Sequence, residues 1–432
     1  MATIIPSFEK IYNQKVKPEP GELHLLKFLD SYLDASFEVY FNPYMNGDRP
    51  DIVIMRKGQG VLIIEVKDYN LDSYQLDERK NWRVKNQNFP IKSPISQALQ
   101  YKENLFNLHI EHILELKIKD FRYFRMVSTA VYFHNASSDK LSQFLIKPFL
   151  HDNKYQSFLK YNVNLIGNDN LNEVDFKKLL QKSYLVSNNK SFLFSDDIYN
   201  SFKRFLKPPI HLLEDGVQIP YSRKQLDIIY DATRKQQRIK GVVGSGKTTV
   251  LAGRAVQAHK RTKGKVLILT FNITLKNYIR DKISQVREEF PWENFVITNY
   301  HNFINSELNN LGIPVVVPSG FDKLTGDKKT EYFEKEYYSN KNLFENNRVS
   351  IKPYDVILID EIQDYKRPWM EILKECFLST DGEYVLFGDV KQNIYNTATE
   401  NKDVSTNVKG VTELKNCFRS DFKIKDLAIH YQ

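Results

Sequence analysis

Only two cysteines, Cys376 and Cys417, occur in 432 residues, and neither has partners at metal-ligand spacing. That scarcity supports neither a disulfide framework nor a structural zinc site, and it suits a reducing cytoplasm. No apolar run approaches the roughly 18 residues of a membrane span, and the start MATIIPSFEKIY lacks the basic segment and apolar core of a secretory leader. Internal repeats, low-complexity tracts and a dense basic tail are also missing. These absences lead us to expect a soluble cytoplasmic protein.

What is present suffices for folding. Hydrophobic residues make up 41% of the chain and aromatics 13%, within the globular range. A length of 432 residues predicts two or three domains, since one core usually serves about 100 to 200 residues. Sixty-two Lys and Arg against 53 Asp and Glu leave a formal charge of +9, which favours an anionic partner without naming one.

The periodicities predict an α/β organisation. GELHLLKFLDSYL reads as a helix; FEVYFNP, DIVIM, GVLIIEV and MVSTAVYF read as strands of a first domain over residues 1–145. Residues 146–217, with VNLIG as a short strand and two helical stretches, read as a connector or as the closing elements of that domain. From 218 to 415 the order becomes strand, Gly-rich loop, helix, strand, the pattern of a parallel sheet with crossover helices.

GVVGSGKT, from Gly241 to Thr248, fits the phosphate-loop pattern after a short apolar strand and at the start of a helix. Glycines Gly241, Gly244 and Gly246 let backbone N–H groups wrap a phosphate, with Ser245 and Thr249 in the same cradle. Lys247 would reach the β and γ phosphates of ATP, and Thr248 would hold Mg²⁺. In VILIDEIQDY, Asp360 ends a buried strand, where it can reach Mg²⁺, and Glu361 can activate the attacking water.

In this order the motifs resemble those of UvrD-like superfamily 1 helicases. The resemblance implies that Gln225 of SRKQLDIIYD reads adenine and that Gln363 of DEIQD marks the class. Thr270 and Phe271 in LTFNITL, with Thr298 and His301 in ITNYHNF, would contact a nucleic-acid strand. In FGDVKQNIY, Asp389 and Gln392 would couple the γ-phosphate to that strand and Tyr395 would lie near a base. In LKNCFRS, Phe418 would stack on adenine and Arg419 would serve as arginine finger, with Cys417 where the family usually has Asn. The likeness implies a RecA-like first lobe, a 1B-type insertion near 304–350, and the start of a truncated second lobe at 416–432. The rest of that lobe would come from a longer polypeptide or another chain, or else the chain would bind ATP without productive translocation.

In PDIVIMRKGQGVLIIEVKDY, residues 50 to 69, Asp51 precedes one strand while Glu65 and Lys67 share a face of the next. Two readings stand: a hairpin with solvated charges, or a phosphodiester-cutting centre in which Asp51 and Glu65 hold Mg²⁺ or Mn²⁺ and Lys67 helps activate water. The D-x₁₃-E-x-K pattern resembles the PD-(D/E)xK nuclease fold, and more closely the nuclease-related domain called NERD. That likeness adds Glu22 of GELHLLKFL as a further acidic member. It also has Gln97 of SPISQALQY facing the site, with Ser93 where Asn is usual.

The combined expectation is a restriction-endonuclease-like α/β domain followed by a phosphate-loop, RecA-like parallel-sheet domain. The implied activity is ATP-driven translocation on nucleic acid coupled to metal-dependent cleavage, in DNA repair or defence against phage. The alternative is a nucleotide-gated DNA-binding protein without cleavage. Single-stranded DNA is the expected track, and RNA remains open.

Overall fold

Apolar runs such as IVIMR and GVLIIEVK need cover on both faces, so they belong in the middle of a layered sheet. The computed structural model describes residues 1–14, 16–45, 47–85, 89–110, 113–187, 191–242, 244–388, 399–400, 403–404, 408 and 410–415. The chain divides into two units, Met1–Pro209 and Ile210–Gln432.

The strands of the first unit are β1 (Thr3–Ile5), β2 (Phe37–Phe41), β3 (Ile52–Arg56), β4 (Gly60–Lys67), β5 (Tyr74–Leu76), β6 (Trp82–Val84), β7 (Pro90–Ile91), β8 (Val127–Phe133) and β9 (Asn164–Gly167). Six of them form a mixed sheet in the order β1-β2-β3-β4-β8-β9, with β2, β3 and β4 antiparallel and β8 and β9 parallel to β4. The remaining three form a small antiparallel sheet.

One face of the central strands, with Ile52, Ile54, Leu62, Ile64 and Val66, packs on Leu25, Leu26 and Leu29 of the helix Pro20–Tyr32. The opposite face, with Val53, Met55, Val61 and Ile63, packs on Tyr101, Leu105 and Phe106. Both faces need residues beyond 145. Phe176 and Leu180 complete the first core, Phe202 and Phe205 the second, and β9 extends the sheet. The stretch from 146 up to Pro209 thus buries apolar side chains in the first unit's cores.

In the second unit, β10 (Ile210–His211) pairs with β13 (Phe290–Pro291). The main strands are β11 (Gln236–Gly241), β12 (Val266–Thr270), β14 (Phe295–Asn299), β15 (Tyr354–Ile359), β16 (Leu378–Gly388) and β19 (Val411–Leu414); β17 (Thr399–Glu400) and β18 (Asp403–Val404) form a hairpin. Every registered pair in the six-stranded sheet β14-β12-β15-β16-β11-β19 is parallel. This is the arrangement the alternating pattern predicts. The stretch 304–350 carries helical segments whose Leu308, Tyr337 and Phe344 sit in the same core as β12 and β15.

A buried charge cluster ties this unit together. Arg254, fully buried on the helix Lys247–Thr262, donates to the Glu383 carboxylate on β16 at 2.7 Å and to the carbonyl of Ile228 at 2.9 Å. Arg261 donates to both oxygens of the same carboxylate, at 2.8 and 2.9 Å. Removing the shared carboxylate strands a buried guanidinium, at a cost of about 3–5 kcal/mol. The Glu383→Ala variant should therefore unfold its second unit roughly 10 °C below the parent in a thermal melt. A change of about 1 °C or less would show that the cluster is not holding β16 to the helix.

Candidate functional site

The first candidate site lies where β3 and β4 meet the helix Pro20–Tyr32. Antiparallel register pairs Ile52 with Ile64, which puts Asp51 opposite Glu65 one step further on. Asp51 accepts a hydrogen bond from the Val66 N–H at 2.7 Å, so its carboxylate is held against β4. Glu65 is 0% exposed, and Lys67 forms an ion pair with its Oε1. Among the described residues the Glu65 Oε2 is buried without a hydrogen-bond partner. The reading as a hairpin with solvated charges is thereby excluded, because β4 is covered on both faces by the cores described above.

Glu22 joins from the first turn of its helix. Its Oε2 accepts from the Glu19 N–H at 2.8 Å, closing a capping box, and its Oε1 faces the Asn42 amide at 3.4 Å. Burial raises the Glu22 carboxyl to about 7, with the Asp51 charge adding to the effect. Burial, then the charge of Glu65, raises Asp51 to about 7 as well. Glu65 is likewise raised by burial, although Lys67 opposes the shift. Burial alone would lower the Lys67 ammonium, but Glu65 and Asp51 outweigh it and hold it above its ordinary value. The site is thus an electrostatically strained group of three carboxylates, two of which, Glu65 and Asp51, share the Lys67 ammonium.

Gln97 approaches this site through a neighbour. Its amide donates to the Tyr101 hydroxyl at 2.8 Å, one turn along the helix Pro94–Asn104, and that hydroxyl donates to the Arg49 carbonyl at 3.1 Å. Burial and the charge of Glu65 push the Tyr101 phenol up. Ser93 caps the same helix, accepting from the Ser96 N–H at 3.4 Å. Tyr101 was missed in the sequence, where it reads as an apolar helix position; its one signal is that it lies four residues after Gln97.

Whether these residues suit a divalent cation can be judged from the donors. The orphaned Glu65 Oε2 beside Asp51 is the feature a hard cation would satisfy. Among the described residues, however, no group of three or more His, Cys, Asp and Glu side chains is arranged to hold a metal ion. Asp51 and Glu65 would be the side-chain ligands, with Lys67 displaced from Glu65.

The second candidate site is the loop between β11 and the helix Lys247–Thr262. Gly244 and Gly246 take positive φ, +74° and +80°, conformations that side chains with a Cβ resist. A Cβ on Gly241 would lie 2.5 Å from the Ser245 hydroxyl, so a side chain there would force that hydroxyl to shift. Lys247 is buried, its ammonium donating to the Gly241 carbonyl at 2.7 Å. Thr248 donates to Asp360 at 3.4 Å, and Thr249 follows it, half-buried, on the first turn. The Ser245 hydroxyl is buried without a partner.

Asp360 directly follows β15 and is almost wholly buried; burial, then the adjacent Glu361, raises its carboxyl to about 7 against the pull of Lys247. Glu361 adopts a left-handed conformation, φ 54°, and accepts from the Gln363 amide at 2.5 Å. Gln225 has other partners than the expected adenine. Its carbonyl accepts from the Ser222 N–H at 2.8 Å in a capping box, and its amide donates to the Ser245 carbonyl at 3.1 Å. In this structure it braces the phosphate loop.

The residues assigned to a nucleic-acid strand are differently placed. Thr270 ends β12 with 0% exposure, and its hydroxyl has no partner, so it offers no surface to a strand. Phe271 is half-buried against the core, with its ring 6.4 Å from that of Tyr365. Thr298 is half-buried on β14. His301 packs edge-on against Tyr338 and Trp369, at 4.6 and 4.9 Å, and burial lowers its imidazole. Asp389, Gln392, Tyr395, Cys417, Phe418 and Arg419 lie outside the described residues.

Residues 17–134 match the nuclease-related domain family, NERD, and residues 225–398 match an AAA domain family. No curated protein matches the chain. Among solved structures, the Pif1 helicase from Candida albicans is similar at 15% identity over 49% of this chain and 44% of that one, with a TM-score of 0.30. The ATP-dependent Type ISP restriction-modification enzyme LlaBIII bound to DNA is similar at 11% identity over 81% of this chain, with a TM-score of 0.25. This chain spans 20% of that enzyme's length.

The raised carboxyls set a pH dependence. Between the ordinary carboxylate range near 4 and about 7, the folded first unit binds more protons than the unfolded chain, so its stability falls as pH rises through that window. Asp51→Asn removes one of the groups responsible. Its thermal midpoint relative to the parent should therefore improve from pH 5 to pH 7.5, measured by scanning fluorimetry without divalent cations. A difference independent of pH would mean that Asp51 carries no burial penalty.

Proposed function

We propose that the chain is an ATP-hydrolysing, helicase-type motor of the UvrD-like kind coupled to a metal-dependent nuclease domain of the PD-(D/E)xK kind, acting on DNA in the cytoplasm. The observation that carries this reading is the pairing, in one polypeptide, of a phosphate loop facing Asp360 with a buried Asp51, Glu65 and Lys67 group. The two matched families support it from separate parts of the sequence.

At the phosphate loop, Lys247 would leave its loop carbonyl for the β and γ phosphates of ATP. Thr248 and Asp360 would hold Mg²⁺, which supplies charge neutralisation on the phosphates. Glu361 would take the proton of the attacking water. At the other site Asp51 and Glu65 would hold Mg²⁺ or Mn²⁺, which supplies a polarised water and a clamp on the scissile phosphate. Lys67 would position that water, Glu22 would hold a proton at its raised carboxyl, and Gln97 would orient Tyr101. Thr298 and Phe271 would border a single-stranded track. Repair of DNA or defence against phage are the settings in which a motor tethered to a cutting domain has use.

The ion pair between Lys67 and Glu65 favours a second reading, in which the first unit grips DNA without cutting it and ATP controls release. Two variants separate the readings. Lys247→Ala should lower ATP hydrolysis by about 100-fold or more, and hydrolysis at the parental rate would remove the phosphate-loop assignment. With Mg²⁺ and single-stranded DNA, Asp51→Ala and Lys67→Ala should each lower cleavage by about 100-fold. Cleavage equal to the parent's in either variant would sink the metal-site reading; a parent that binds but never cuts would establish the gripping one.

A further inference from the structure

A groove of about 550 Å³ opens on the first unit at the end of the sheet away from Asp51 and Glu65. Its floor is Val127, Ser128 and Thr129 at the start of β8. Its nearest strand residue, Thr129, pairs with Ile63, whereas Glu65 pairs with Val131, so two residues of strand, roughly 7 Å, separate the edge of the groove from the carboxylates. Much of its wall comes from residues 160–184, beyond the segment that matches the nuclease-related family.

Among the described residues, every charged side chain lining the groove is a cation: Lys102, Arg125, Lys160 and Lys182. Lys102 is 8% exposed, and among the described residues its ammonium meets an aromatic face, Phe124 at 3.8 Å, with no carboxylate in ion-pair range. Lys117 approaches the same ring at 4.6 Å. Burial and the charge of Lys117 push the Lys102 ammonium down to about 8, and burial with Lys160 lowers Lys182. Like charges gathered without counter-charge cost stability unless an anion offsets them.

Aromatic rings stand beside these cations. Phe121, Tyr161 and Tyr184 line the groove at 64%, 75% and 50% exposure, and Lys160 lies 5.3 Å from the Tyr161 ring. Lys160 and Lys182 sit in the last turns of their helices, where a cation is favourable in any case. That placement accounts for neither Arg125, nor buried Lys102, nor three exposed rings around one cavity. Cations spaced among exposed rings fit a chain of alternating phosphates and bases.

From this arrangement we infer that the groove binds a single-stranded nucleic-acid segment, its phosphates on Arg125, Lys160 and Lys182 and its bases on Phe121, Tyr161 and Tyr184. This site is distinct from the carboxylate centre and from the phosphate loop, and it requires neither cleavage nor ATP hydrolysis. It would hold a strand on the first unit whether or not that unit cuts.

The test is photo-crosslinking of the full chain to a dT oligonucleotide carrying 4-thiothymidine, with EDTA and without nucleotide, followed by peptide mapping. Crosslinks should fall on peptides containing Phe121, Tyr161 or Tyr184, and should persist in Lys247→Ala and Asp51→Ala, so that failure of either activity leaves this result intact. In the Lys160→Glu, Lys182→Glu double variant these crosslinks should drop about 10-fold, and the slope of log affinity against log salt should lessen by roughly 1.4. Unlabelled dT oligomer should protect the peptides where equimolar dTMP does not. A map without these peptides overturns the inference, and so does equal protection by dTMP, which would make the groove a mononucleotide pocket.

Discussion

A carboxylate removed from water must be protonated, paired or given a cation, and the first unit is arranged around that demand at Glu65. β4 is central in its sheet and covered on both sides, so the Glu65 carboxylate is removed from bulk water. Everything nearby responds to this. Lys67 pairs with one oxygen, Asp51 is tied to the next backbone N–H of the same strand, and Glu22 is pinned by its own helix cap. All three carboxyls stay raised even though Lys67 acts on Glu65 and Asp51, so the group is short of positive charge. That deficit makes it a candidate for cation chemistry in place of a structural ion pair.

The second unit meets a similar demand differently. Asp360, buried after β15, faces the Lys247 end of the phosphate loop and the Thr248 hydroxyl, so the cradle holds its own counter-charge. Gln225 fastens the loop by donating to the Ser245 carbonyl. Behind the loop, the Arg254, Glu383 and Arg261 cluster locks the following helix to β16. The helix that presents the loop is thus anchored at a distance from it, and its first turn can carry backbone groups that remain open to an anion.

Much of this was legible from residue pattern. The glycines at Gly244 and Gly246 are required by positive φ, and the parallel sheet follows from short apolar strands alternating with helices. Asp51 and Glu65 share a face because the side-chain period of a strand is two and the turn fixes the register. Other features were not legible, for identifiable reasons. Thr270 reads as a strand-end contact, but whether such a residue faces solvent depends on the layer packed over it. Tyr101 becomes part of the carboxylate site only because its helix packs on the face of β4 that carries Val61 and Ile63. The stretch 146–209 reads equally as a connector, yet apolar positions such as Phe176, Leu180, Phe202 and Phe205 are buried in two cores.

By itself the sequence determined the chemistry on offer: a phosphate cradle, acidic residues at strand ends, and an Asp, Glu and Lys set at strand spacing. Those are local properties, set by backbone conformation and side-chain period, so they can be read without knowing what packs on what. Tertiary structure alone decided which charges are desolvated and which side chains converge. Burial of Glu65, the sharing of Lys67 between Glu65 and Asp51, and the meeting of Arg125, Lys160 and Lys182 with exposed rings all join residues apart in the chain. Their energies depend on the dielectric and the neighbours that folding supplies, and no short stretch of sequence carries that information.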